Sequence, residues 1–279
     1  MKKMEMIENI HKICVILLVS IWAISCLASA GPTTELMVSL YDNETVLDSI
    51  SLDYKWMEEN LPVYGDGITH YYHQGPIFKG DSWAPEETTN YKDRGAAKGS
   101  SVRDLVELVG GMEPGDEVMI KAFDGYHTEF PYEIIYLDEP RRGSLVIGWY
   151  IGEDAGKGER QGKGYVPDYH TGMRLVFFAD NSTNAEGLHV FGNYDMNQTL
   201  PSAAQYFYSG LLPSTSGLNV KWVDEIRVYK QGFLGERGKP VKSLNEQVNV
   251  SNTNKTPLSM FGIFGAIWIT TLFFIWRRS

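Results

Sequence analysis

The sequence predicts a β-rich extracytoplasmic domain with few helices, held to a membrane by one C-terminal transmembrane helix. Three observations point there. Short apolar or alternating runs recur between Gly, Pro, Asn and Asp, the punctuation of strands and turns. A hairpin is written across 118–130, where two such runs flank Asp124-Gly125. Residues 258–276 contain no charge and are long enough to cross a hydrocarbon core of about 30 Å.

From the N-terminus, Lys2, Lys3 and Lys12 precede an apolar run over 13–27, and Ala28-Ser29-Ala30 supplies a small-x-small cleavage site. That order is a signal-peptide layout over residues 1–30. An uncleaved N-terminal anchor and a lipidated Cys26 are the two other readings of the same segment.

In 33–51, Leu36, Val38 and Leu40 alternate with polar neighbours, as one or two strands require. A short helix is expected over 53–60. The stretch 64–98 is rich in Gly, Pro, aromatics and His without a period, which predicts an ordered functional loop region. Ser101 opens the clearest helix: its hydroxyl is an N-cap, and Val102, Leu105, Val106 and Val109 share one face before Gly110-Gly111 ends it. Further strands are expected at 145–151, 174–179, 189–191 and 220–229, with a charged, glycine-rich loop over 152–164. Residues 231–257 are polar and read as a flexible stalk, so the folded domain spans 31–230. Arg277 and Arg278 resist translocation, which leaves 277–279 cytoplasmic and the rest outside, unless this tail is a sorting signal that is later removed.

Composition excludes several chemistries. The only cysteines, Cys14 and Cys26, lie in the signal segment, so the mature domain has no disulfide, no thiol nucleophile and no cysteine-ligated metal. Without the two terminal segments, 1–30 and 258–279, 20 basic and 33 acidic residues remain, a net charge of −13. That balance argues against a nucleic-acid partner. Five Asn-x-Ser/Thr sequons, at Asn43, Asn181, Asn197, Asn249 and Asn254, suit an exported glycoprotein surface.

The segment from Ser101-Val102-Arg103-Asp104-Leu105 through Gly110-Gly111-Met112-Glu113-Pro114-Gly115-Asp116 to Asp124-Gly125-Tyr126 resembles the oxidoreductase molybdopterin-binding domain of the sulfite oxidase family. Phe130-Pro131-Tyr132-Glu133, Gly172-Met173-Arg174-Leu175-Val176 and Val220-Lys221-Trp222-Val223 look like later segments of that family, in the same order. The resemblance is strongest over 99–136 and 172–229. Tyr165-Val166-Pro167-Asp168-Tyr169 with 172–178 is also similar to exported, single-anchor proteins of anaerobic archaea that carry this domain. The resemblance implies an α+β fold on mixed and antiparallel sheet, of sulfite oxidase catalytic-domain type, and molybdopterin as a cofactor. Active members of the family hold molybdenum with a cysteine thiolate in a region comparable to 67–75, where this chain has His70-Tyr71-Tyr72-His73 instead.

Candidate cofactor-binding residues are Arg174, His70, His73, Arg94, Lys98 and His189. His70 and His73 share a face if their segment is helical, and His127, His170 and His189 are the imidazoles that would complete a Zn, Cu or Ni cluster. Arg94, Lys98, Arg141, Arg142 and Arg174 lie near glycine loops, where cations and backbone N–H groups together bind phosphate. Solvated charge is the competing explanation for those cations. Trp83, Trp149, Tyr150, Tyr165, Tyr169, Phe191 and Tyr194 suit either a flat ligand or a core. His189 and Asp195 flank Phe191-Gly192-Asn193 as an acid–base candidate. The expected function is non-redox binding of a small molecule or envelope component by a membrane-anchored domain. The alternatives are an exported molybdopterin-dependent oxidoreductase with unusual metal ligation and a structural cell-surface protein.

Overall fold

Alternation of apolar residues along short segments, broken by glycines at positive φ, leaves the chain little room for anything but strands. The structure, a computed structural model, describes residues 33–241. Its largest sheet has five strands in the order β2-β1-β14-β6-β7, where β1 is Glu35–Asp42, β2 Thr45–Asp53, β6 Glu117–Ala122, β7 His127–Pro131 and β14 Val223–Tyr229. First and last strands pair in parallel, Val38 against Ile226, and every other pairing in this sheet is antiparallel.

A second sheet runs β10-β8-β5, with β5 at Ala97–Ser101, β8 at Ser144–Ile151, β10 at Arg174–Phe178, and the short β9, Gly164–Tyr165, on β8. The two sheets close one core. Val38, Ile120, Phe130 and Ile226 of the first belong to the same buried cluster as Ile147, Trp149, Leu175 and Phe177 of the second. A third sheet, β11-β3-β4, joins Tyr71–Gln74 (β3), Tyr91–Asp93 (β4) and His189–Phe191 (β11). A two-stranded hairpin, β12 (Phe207–Tyr208) with β13 (Leu212–Pro213), completes the sheets among the described residues.

Helices are short: α1 Tyr54–Asn60, α2 Val102–Glu107, α3 Tyr132–Tyr136 and α4 Asn193–Thr199. Local signals account for the first two. The Asp53 carboxylate accepts from the N–H groups of Lys55 and Trp56 at 2.9 Å and starts α1. Ser101 caps α2, which buries Val102, Leu105 and Val106 before Gly110 and Gly111 turn the chain at φ +100° and +72°.

The expected fold class needs correction. The strand-rich part of the expectation stands, but α+β of sulfite oxidase catalytic-domain type does not. Among the described residues the longest helices have seven residues, about two turns, and residues of the two larger sheets share one buried cluster. Among the described residues no helix is long and apolar enough to cross a membrane. The signal segment, the expected transmembrane helix at 258–276, its tail and the sequons at Asn249 and Asn254 lie outside the described residues.

The segment 64–98 is more regular than a loop region, since it contributes β3, β4 and the start of β5. Residues 231–241, where the stalk was expected to begin, lie against the first sheet. Phe233 and Val241 pack on Tyr41, Met119 and Tyr229, and Arg237 pairs with Glu117 and Glu129.

Candidate anion-binding site

Strand β4 carries Lys92 and Asp93, Arg94 follows directly after it, and alternation separates their side chains. Lys92 and Arg94 line a cavity of about 460 Å³, together with Gly75, Pro76, Gly158, Glu159, Ser216, Asn219 and Lys221. Asp93 turns the other way, to the Nδ1 of His70 at 2.9 Å and to the N–H of Gly156 at 2.7 Å.

A 3-10 turn at Thr215–Leu218 forms one wall of this cavity. Buried Thr215 pins it in place. Its hydroxyl accepts from the N–H of Gln74 at 2.7 Å and donates to the carbonyl of Phe191 at 2.6 Å, so one side chain ties the turn to both β3 and β11. Ser216 then receives an Arg94 N–H at 2.9 Å.

Behind the cavity sits Arg174, the first residue of β10 and almost wholly buried. Its guanidinium donates to the side-chain oxygens of Gln161 and Asn219. Gln161 in turn donates to the Arg94 carbonyl at 2.7 Å. Among the described residues neither Arg94 nor Arg174 forms a salt bridge. Burial, and then repulsion from Arg174, pushes the Arg94 pKa down to about 9, and burial pushes that of Arg174 down to about 10. His73 of β3 is fully buried beside them. Burial first, then the two guanidiniums, drive its pKa well below the ordinary value, so the ring is neutral. Its Nε2 accepts the Phe177 N–H at 3.2 Å, which places the ring proton on Nδ1.

Three buried N–H groups of this cluster have no acceptor: Nδ1 of His73, Nε of Arg94 and Nε of Arg174. An unmet buried donor costs about 1–3 kcal/mol, and a buried, unpaired cation several more. Negative charge placed in the cavity beside Arg94 would offset part of the cost of the buried cations.

The other candidates lie elsewhere. His70 precedes β3, and because the segment is a strand and not a helix, it is turned away from His73, toward Asp93 and Glu153. Lys98 lies over the Tyr150 ring at 5.3 Å. His189 donates its Nδ1–H to the Ala179 carbonyl at 2.8 Å and lines a separate cavity of about 430 Å³ with Tyr71 and Phe178. Asp195 is bonded to Arg141 and Thr183, not to His189. Arg142 donates to the carbonyls of Ile134 and Leu137. His127 pairs with Glu129 on the first sheet. Among the described residues no group of three His, Cys, Asp or Glu is placed to hold a metal ion. Trp149, Tyr169 and Phe191 are core.

Sequence reasoning missed Lys92, Gln161, Ser216, Asn219 and Lys221. Lys221 stands inside the Val-Lys-Trp segment and was open to notice; Gln161 and Asn219 carry no local signal.

The cluster suits only part of the cofactor that the resemblance implies. Its donors fit a phosphate such as molybdopterin carries, but residues 33–241 contain no cysteine, so no thiolate can ligate a metal there. No protein-family model matches the chain, and no curated protein matches it.

Proposed function

We propose that this chain is an exported, membrane-anchored binding protein whose folded domain takes a small anionic ligand, one bearing a phosphate or similar oxyanion, without redox chemistry of its own. The observation that carries the reading is the pair of buried arginines, Arg94 and Arg174, which have no carboxylate partner among the described residues: Arg94 lines an open cavity, and Arg174 lies behind it, bonded to the lining residue Asn219. Lys92 and Lys221 at the cavity wall extend the positive field to the surface. The domain as a whole is acidic, so this attraction is local to the cavity and selects a small anion over a polyanionic surface. Export and anchoring rest on the signal-peptide layout and on the uncharged segment 258–276.

Calorimetry of the purified chain with pyrophosphate tests the binding, alongside elemental and small-molecule analysis of protein from its native source. Binding that weakens with salt and drops at least tenfold in Arg94→Met supports the reading. No binding, or equal binding by that variant, defeats it. The second reading, an exported molybdopterin oxidoreductase, is favoured by the resemblance over 99–136 and 172–229 and by the phosphate-suited donors. Stoichiometric molybdenum with pterin in the native protein would establish it over the first.

A further inference from the structure

Glu159 stands at the mouth of the basic cavity, on the charged, glycine-rich loop that follows β8. Its carboxylate pairs with the Lys221 ammonium and lies 3.8 Å from the Nε2 of His170. Half of its side chain is exposed, so it covers the cavity without being built into the core. It is the only acidic residue among those lining the cavity, set against Lys92, Arg94 and Lys221, with Arg174 behind them.

The loop is fastened on both sides of Glu159 but not at it. On one side the Lys157 carbonyl accepts from the N–H of Asp93 at 3.1 Å, and the Gly156 N–H donates to Asp93 at 2.7 Å. On the other, the N–H of Gln161 donates to Asp154 at 2.9 Å, and the Gln161 side chain is held by Thr171 and Arg174. Between those anchors, 158–160 make no backbone hydrogen bond among the described residues. Gly158 at φ +101° and Gly162 at φ +93° bracket the segment with backbone that non-glycine residues rarely adopt. A Cβ added at Gly158 would approach nothing closer than the Lys92 side chain at 3.6 Å, so space is available for the segment to turn.

We propose that Glu159 is a built-in competitor for the anion site: its carboxylate neutralises Lys221 at the cavity mouth until a ligand displaces it, and 158–160 act as a strap that swings aside on binding. This rests on the anion-binding reading and deepens it. The strap also sets the ligand class. A single carboxylate already serves the outer lysine, so a monoanion gains little by replacing it, whereas a dianion answers Lys221 and the buried Arg94 together. Phosphate monoesters carry about two negative charges near neutral pH, and pyrophosphate carries at least as many.

The test uses the full chain, with pyrophosphate and acetate as probes, in wild type and Glu159→Gln. The glutamine keeps the side chain's size and removes its charge. Pyrophosphate should bind the variant about three- to tenfold more tightly at low salt, the range that a half-exposed ion pair can supply, and the gap should close as salt rises. Acetate should bind wild type much more weakly than pyrophosphate. A second readout is tryptic cleavage after Lys157 and Arg160, which pyrophosphate should accelerate in wild type and leave unchanged in the variant. If wild type binds pyrophosphate but Glu159→Gln binds no better, or if pyrophosphate protects these bonds, the strap is refuted and the anion site survives. If neither protein binds pyrophosphate, the site itself fails and the strap with it.

Discussion

The carboxyl groups of Glu87 and Asp195 meet in the interior, and among the described residues only Asp195 is paired directly with a cation. Arg141 lies 2.5 Å from the Asp195 carboxylate, whereas Glu87 is fully buried and accepts the N–H of Asp195 at 3.1 Å. Burial, and then the neighbouring Asp195, push the Glu87 pKa up to about 9. The unfolded chain releases that proton near the ordinary value of 4.5. Between those two values the native state binds more proton than the unfolded one, so stability contributed by this group is fully present below pH 4.5 and is lost as pH rises toward 9. The slope reaches at most about 1.4 kcal/mol per pH unit. Denaturant unfolding across this range should show the decline in wild type, and Glu87→Gln should flatten it. An unchanged slope in the variant would mean that Glu87 titrates normally.

Arg94→Met should bind ligand poorly yet fold at least as well as wild type. The substitution removes a buried cation that presses on Arg174 and gives up one hydrogen bond, to Ser216. Ligand-free stability should rise by about 1 kcal/mol or stay level, the usual trade between function and stability at a binding site. Pyrophosphate should raise the Tm of wild type but not of the variant. A large loss of ligand-free stability would instead make Arg94 a structural residue.

Thr215 positions the cavity wall without touching its interior. Thr215→Val keeps the shape but strips the hydroxyl from Gln74 and Phe191, at a cost of about 1–3 kcal/mol. Pyrophosphate affinity should fall with it, because Ser216 is the next residue. Thr215→Ser should recover both properties. A loss of stability with unchanged affinity would show that the turn does not shape the site.

The segment after β14 is part of the domain. Ending the chain at Lys230 removes Phe233 and Val241 from the Tyr41–Tyr229 stack, and removes Arg237 from Glu117 and Glu129. That truncation should cost about 1–3 kcal/mol relative to a chain ending at Lys242, measured by thermal or denaturant unfolding. Equal stabilities would restore the view of 231–241 as stalk.

How much of this was legible beforehand divides by distance along the chain. The β6–β7 hairpin and the α2 cap were readable because each is decided by a few adjacent residues: Asp124 accepts the N–H of Tyr126, and Ser101 faces that of Asp104. The segment around His70 and His73 was not, since its polar and aromatic residues carry no period, and pairing with β4 and β11 made it a strand. That one outcome separated the two histidines.

The sequence by itself determined where the chain turns, which runs are apolar, that the domain lacks thiolate ligands, and that Arg94 and Arg174 are candidates for an anion site. Only the tertiary structure decided that Arg94 lines one cavity with Lys92, Ser216, Asn219 and Lys221, and that Arg174 stands behind it on Asn219. The physical reason is separation: turns and caps are closed by neighbours a few residues apart, whereas residues from 92 to 221 meet only after three sheets have paired and packed.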